Sequence, residues 1–262
     1  MQRAQRLRAM TTQYFETPQG RRIAFRRSHG KTGLTFVWLS GFKSDMMGGK
    51  VTELETWAAA QGHSFLAFDY SGHGQSGGAF EHGTISAWRE DALAAITAQT
   101  DGDLILVGSS MGGWIALLSM MALPDRVKGL VLIAPAPDFT EKLMWPEFSS
   151  EVQAEIMEKG MHLRPSDYGD PYPITRALIE DGRTWSILDE AISFNGPVRI
   201  LQGMQDPDVP WKHAERLVSA MTSEDLVFHL IKDGDHRLSR PQDIARMKAT
   251  CAEIAEAVGT SA

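Results

Sequence analysis

The chain has 262 residues, 43% of them hydrophobic, and a formal net charge of −7. This is a globular composition with room for one sizeable core, and its net acidity argues against a nucleic-acid partner. The one cysteine, Cys251, excludes an internal disulfide framework and a thiolate metal cluster, and suits a reducing compartment such as a cytoplasm.

Residues 1–10 carry Arg3, Arg6 and Arg8 and no acid, a segment expected to be a solvated tail. A weaker likeness to an organelle presequence makes a mitochondrion the alternative location. A first hairpin is expected over 11–16 and 21–27, turning at Pro18-Gln19-Gly20, with Arg21, Arg22, Arg26 and Arg27 solvated on a sheet edge. Near-continuous apolar runs at 34–39, 64–69, 104–107, 130–134, 198–201 and 226–231 read as strands covered on both faces. Helical patterns fill the gaps at about 47–61, 84–99, 111–122, 211–221 and 241–257. Strands that alternate with helices predict an α/β fold with a mostly parallel sheet.

Between Ala136 and Gly196 this rhythm breaks. The intervening residues, rich in Met, Trp and Pro, read as a small helical lid insertion over about 136–196, with pieces at 149–159 and 175–190 broken by Pro165, Pro171 and Pro173. One domain over 1–262 is expected, frayed at 259–262. The longest apolar stretch, 114–123, is interrupted by Ser119 and falls short of the ~20 residues that span a bilayer, so no integral membrane span is expected.

The sharpest local signal is Leu104-Ile105-Leu106-Val107-Gly108-Ser109-Ser110-Met111-Gly112-Gly113-Trp114, a strand entering Gly-x-Ser-x-Gly and then a helix. A strand-to-helix turn this tight has no room for side chains at its flanks, and Gly108 and Gly112 supply the room. The segment resembles the nucleophile elbow of the α/β-hydrolases, and the glycine spacing selects Ser110 over Ser109. The helix start also aims backbone N–H groups and the positive dipole end at the reaction centre.

That resemblance implies a base and an orienting acid, in the chain order serine, acid, histidine. Strand 198–201 leads into Gln202-Gly203-Met204-Gln205-Asp206-Pro207-Asp208-Val209-Pro210, similar to the family's acid turn. Asp206 fits the position and Asp208 is its rival. After strand 226–231, Lys232-Asp233-Gly234-Asp235-His236-Arg237 offers His236 as the base. Of the other histidines, His229 is expected inside a strand and His213 solvated on a helix. His29, His63, His82 and His162 have no expected route to the elbow, and His73 falls in the glycine-rich turn Asp69-Tyr70-Ser71-Gly72-His73-Gly74, where the family role is structural. No His-x-x-x-His or His-Glu-x-x-His pattern occurs among the eight histidines, so neither a metal site nor a cofactor is expected. Acyl transfer also needs two donors for the developing oxyanion; by resemblance these are the backbone N–H groups of Met111 and of Phe42, in Ser40-Gly41-Phe42 where many relatives have His-Gly.

Four segments narrow the likeness: Gly41-Phe42-Lys43-Ser44-Asp45-Met46, Phe68-Asp69-Tyr70-Ser71-Gly72, the elbow through Trp114, and Val209-Pro210-Trp211. Together they resemble the branch of palmitoyl-protein thioesterase and mycophenolic-acid acyl-glucuronide esterase, which is mitochondrial in animals. The resemblance implies a serine hydrolase acting on a small acyl ester or on an acylated protein or thioester. One triad can serve both bonds, because a thiol of pKa ~8.5 departs with less acid assistance than an alkoxide. Substrate choice then belongs to the insertion, where Met144, Trp145, Phe148, Met157 and Met161 are candidates for an apolar acyl channel. Lys43, Arg164 and Arg237 are candidates to meet an acidic leaving group. A carbon–carbon bond hydrolase with the same triad, or a non-catalytic binding protein on the same fold, are the alternatives.

Overall fold

The computed structural model describes residues 11–165 and 171–259; the arginine-bearing tail 1–10 and the terminal residues 260–262 lie outside them. Among the described residues, ten strands and seven α-helices follow one another: β1 (Gln13–Glu16), β2 (Arg22–Ser28), β3 (Leu34–Leu39), α1 (Gly49–Gln61), β4 (Ser64–Phe68), α2 (Ile85–Gln99), β5 (Asp103–Ser109), α3 (Met111–Ala122), β6 (Val127–Ile133), α4 (Ser150–Lys159), β7 (Met161–Arg164), β8 (Tyr172–Thr175), α5 (Arg176–Thr184), β9 (Val198–Gly203), α6 (Trp211–Ala220), β10 (Leu226–Ile231) and α7 (Pro241–Gly259). Eight of the strands form one sheet in the order β1-β2-β4-β3-β5-β6-β9-β10. Pairing is antiparallel at β1–β2 and β2–β4 and parallel elsewhere in this sheet.

Side chains alternate across a strand, and here both sets are apolar. Val37, Leu39, Leu104, Leu106, Leu130, Leu132 and Ile200 face one way, onto α2, α3, α6 and the insertion. Phe36, Trp38, Ile105, Val107, Val131 and Ile133 face the other, onto α1 and α7. Burial on both faces is why these strands read as continuous hydrophobic runs.

The parallel order fixes where a site can form. The chain leaves β3 toward β4 on one side and resumes at β5 on the other, so β3 and β5 are neighbours whose following loops diverge. A crevice opens at their carboxyl ends, where open α/β sheets hold ligands.

Three expectations change. Arg21 and Arg26 are not solvated: Arg21 pairs with Asp91 at 2.6 Å and Glu90 at 2.8 Å, and Arg26 is buried against Glu55. The expected helix 175–190 is the shorter α5. Thr175 caps it through Oγ1, which accepts the Leu178 N–H. Beyond Trp185 the Ile187 and Leu188 N–H groups donate to the buried Asp138 carboxylate instead of continuing the helix. Finally, β7 and β8 pair antiparallel as a separate two-stranded sheet. The prolines that read as breakers are tolerated because such a ribbon consists only of edges.

Candidate active site

The loops after β3, β5, β9 and β10 converge at the crevice. Ser110 stands between β5 and α3 at φ +55° and ψ −120°, a backbone that side-chain-bearing residues rarely adopt. The glycines explain how it is held. A Cβ on Gly108 would lie 2.3 Å from the Gly112 carbonyl oxygen, and one on Gly112 would lie 2.0 Å from that of Leu39. The helix can therefore start immediately beside β3 and β5.

Three side chains expected from sequence meet here. The Ser110 hydroxyl Oγ is 3.2 Å from His236 Nε2, and His236 Nδ1 is 2.8 Å from Asp206 Oδ2. Asp206, not Asp208, is the carboxylate that meets His236, and its side chain is fully buried. Its Oδ1 accepts the N–H groups of Asp208 and Val209 at 2.9 and 2.8 Å. Gln202 was not foreseen: wholly buried at the end of β9, it donates from Nε2 to Asp206 Oδ2 at 3.0 Å and to the Val209 carbonyl at 2.9 Å. A polar side chain inside an apolar strand was the signal for it, since buried amides need partners.

Phe42 and Met111, the expected oxyanion donors, flank Ser110 on the wall of one cavity of about 510 Å³. Gly41 sits close under Ser110, where an added Cβ would be 3.4 Å from Ser110 Cβ. The Phe42 ring packs edge-on against Phe80 and Phe139, which ties its loop to both the body and the insertion. His73 supports the same loop from beneath. Its Nε2 accepts the Lys43 N–H at 3.1 Å while Nδ1 meets the Ser71 carbonyl at 3.2 Å. This is the structural role its turn implied.

Burial among Tyr70, Phe80 and Trp88 drives the His73 pKa down to about 4. An unfolded chain takes up this proton near pH ~6.5 and the native one does not, so stability is full above that pH and falls as the pH drops toward 4. Urea unfolding should show the wild type losing about 3 kcal/mol more between pH 7 and pH 4 than His73→Gln does; equal acid sensitivity would refute the neutral imidazole.

Of the insertion residues singled out, Met144 lines the cavity together with Phe139, Leu143, Tyr172 and Ile174. Trp145 and Phe148 instead pack within the insertion, Trp145 beneath Arg183 and Phe148 against His162 and Arg164. Met157 is half-buried on α4 and Met161 is exposed on β7; neither reaches the cavity wall. Arg164 and Arg237 do line the cavity, with Arg164 paired to Glu147 at 3.2 Å, whereas Lys43 lies over the Tyr172 ring outside it. His213 is buried, not solvated, because it shares the inward face of α6 with Leu217, and its Nε2 meets the Pro137 carbonyl at 2.7 Å. Lys50, from the first turn of α1, was missed: it lines the cavity and donates to the Arg237 carbonyl.

Asp206, Asp208 and His236 bring ligand-type atoms within 4.8 Å of one another. Both Asp206 oxygens already accept hydrogen bonds and His236 Nδ1 is engaged with one of them, so the cluster is organised around the imidazole. Cys251 is buried and desolvation raises its thiol pKa, which leaves it unreactive. No described helix is long and apolar enough to cross a membrane.

Comparison with known proteins agrees with this architecture. The family model for serine aminopeptidase S33 matches residues 35–180. The human mitochondrial palmitoyl-protein thioesterase ABHD10 is 32% identical over 94% of this chain and 81% of its own length, and the mouse protein is 34% identical over 91% and 80%. Among solved structures, a putative hydrolase from Agrobacterium vitis S4 superposes with a TM-score of 0.90 at 46% identity, covering 94% of this chain and 99% of that one. Mouse α/β hydrolase domain-containing protein 10 superposes at 0.86 with 32% identity, over 94% and 98%. With the elbow, the strand order and these matches over most of the chain in agreement, the chain belongs to the serine aminopeptidase S33 family of α/β-hydrolases.

Proposed function

We propose that this protein is a serine hydrolase that releases acyl groups from thioesters and carboxylic esters through an acyl-Ser110 intermediate. The observation that carries the reading is the continuous Ser110–His236–Asp206 contact at a strained elbow opening onto a cavity. His236 Nε2 takes the hydroxyl proton as Oγ attacks the carbonyl carbon, and Asp206 holds the imidazole with its other proton on Nδ1. The N–H groups of Phe42 and Met111 receive the charge on the carbonyl oxygen. Collapse expels the leaving group, which takes the proton from His236; water then repeats the sequence and frees the acid. The insertion over 136–196 caps the body as part of one domain and supplies the acyl-binding wall.

Relatives that carry the name palmitoyl-protein thioesterase support the inclusion of thioesters and of acylated proteins. A reducing compartment suits the lone buried thiol. At about 510 Å³ the cavity falls within the ~300–1,000 Å³ of small-molecule sites. The test is a series of acyl thioesters and esters of increasing chain length. Each methylene added within the apolar wall should raise kcat/KM by up to about fourfold, from ~0.8 kcal/mol per buried CH₂, and the rate should fall once the wall is filled. A flat series would reject the acyl-binding role of Met144 and its neighbours, and no turnover of any member would reject the function.

A further inference from the structure

The cavity has two chemically different halves. Phe139, Leu143, Met144, Tyr172 and Ile174 give the insertion side an apolar stretch, its charged members Arg164 and Glu147 being paired with each other, whereas Lys50, Asp208, Asp235 and Arg237 line the wall together with His236. A general acid must stand beside the atom it protonates. The departing group therefore lies on the His236 side and the acyl chain on the other.

Lys50 is the unforeseen member of that polar side. It comes from α1, and its ammonium donates to the carbonyl oxygen of Arg237, the residue after His236. This contact fixes the cation in the cavity wall instead of leaving it on a free side chain in water. Burial lowers its pKa to about 8; the carboxylates of Asp235, Asp243 and Asp206 oppose that fall and Arg237 adds to it. Lys50 is thus mostly cationic at neutral pH, in a setting where solvent screens it less than at the surface.

We propose that Lys50 sets the leaving-group preference of this site, its fixed ammonium stabilising the negative charge on the sulfur of a departing thiolate and so favouring thioesters over oxygen esters. The inference rests on the serine-hydrolase reading above. In the step concerned, the Ser110 proton already resides on His236 Nε2. The C–S bond breaks, its electron pair leaves on sulfur, and the carbonyl re-forms as the acyl-serine. A thiol of pKa ~8.5 can leave as the anion and collect the His236 proton afterwards, whereas an alkoxide must be protonated as its bond breaks. A fixed positive charge is therefore worth more to the thioester. Lys50 neither gains nor loses a proton in the step.

Two variants separate this electrostatic role from simple support of the His236 loop. Lys50→Gln keeps an N–H donor for the Arg237 carbonyl but removes the charge; Lys50→Met removes both. The substrates are a thioester and an oxygen ester of the same acyl group, compared by kcat/KM, which stops at the common acyl-enzyme and so isolates the leaving group. Lys50→Gln should lower kcat/KM for the thioester about tenfold or more and for the oxygen ester several-fold less, while Lys50→Met depresses both further. Equal losses on the two substrates from Lys50→Gln would reduce Lys50 to a prop and overturn the proposal, as would a thioester-to-ester ratio within about twofold of wild type. A wild-type protein inactive on both substrates would instead bring down the hydrolase reading, and this inference with it; a wild type active on both whose ratio ignores Lys50 brings down the inference alone.

Discussion

Ser110→Ala should lower kcat/KM on every acyl ester and thioester by about 10⁴-fold or more, leaving only what substrate binding and the oxyanion donors contribute. It should also end covalent labelling by a fluorophosphonate, while Ser109→Ala remains labelled. The two serines are adjacent, yet only one is placed to react. Ser109 is the last residue of β5, paired in register with Ile133 and 8% exposed. Both serines border the cavity, but only Ser110 leaves the strand, at φ +55°, with its hydroxyl 3.2 Å from His236 Nε2. The substitution keeps the Cβ and deletes one half-buried hydrogen bond, worth about 1 kcal/mol, so the unfolding temperature should move by only a few degrees. Labelling located by peptide mass analysis decides the matter: a label on Ser109, or one that persists in Ser110→Ala, would move the nucleophile elsewhere.

The parts of this site legible in sequence are those set by local sterics. Gly108 and Gly112 are needed because a Cβ at either would strike backbone within one turn, and such a demand is written in five consecutive residues. The parallel strands were legible for a comparable reason, since burial on both faces leaves no polar alternation to read. What depends on the meeting of distant segments was not. Asp206 and Asp208 are two residues apart in one turn, and only the fold turns the first inward and leaves the second exposed. Lys50 near the start of a helix carries no local sign of a site, and what holds it at the cavity wall is the Arg237 carbonyl 187 residues away. Trp145, Phe148 and Met157 were sound as apolar residues of the insertion, but composition cannot say which side of a helical turn faces the cavity. Met144 faces it, while Trp145 and Phe148 pack the insertion upon itself and Met157 stands off the cavity wall. The β7–β8 ribbon was hidden because local proline signals say where a helix stops, not what pairs beyond it.

Asp206→Asn should cost about 10⁴-fold in kcat/KM, and Asp208→Asn no more than about threefold. The difference follows from what each carboxylate meets. Asp206 faces donors on every side: His236 at 2.8 Å and Gln202 at 3.0 Å on Oδ2, and the N–H groups of Asp208 and Val209 on Oδ1. An amide has one acceptor oxygen and an NH₂ group, so in either orientation a donor is turned against a donor. The movable partner is the imidazole, whose proton can shift from Nδ1 to Nε2 to accept from the new amide. That tautomer presents N–H to Ser110 Oγ, where a base must present a lone pair. The Asp208 side chain is exposed at the cavity wall, and its substitution removes a charge that solvent screens. The backbone N–H that Asp208 lends to Asp206 survives the substitution. If Asp208→Asn were the more damaging of the two, the acid would have been assigned to the wrong carboxylate; if both were mild, His236 would be oriented by something other than Asp206, and the Gln202 contact would lose its purpose as well.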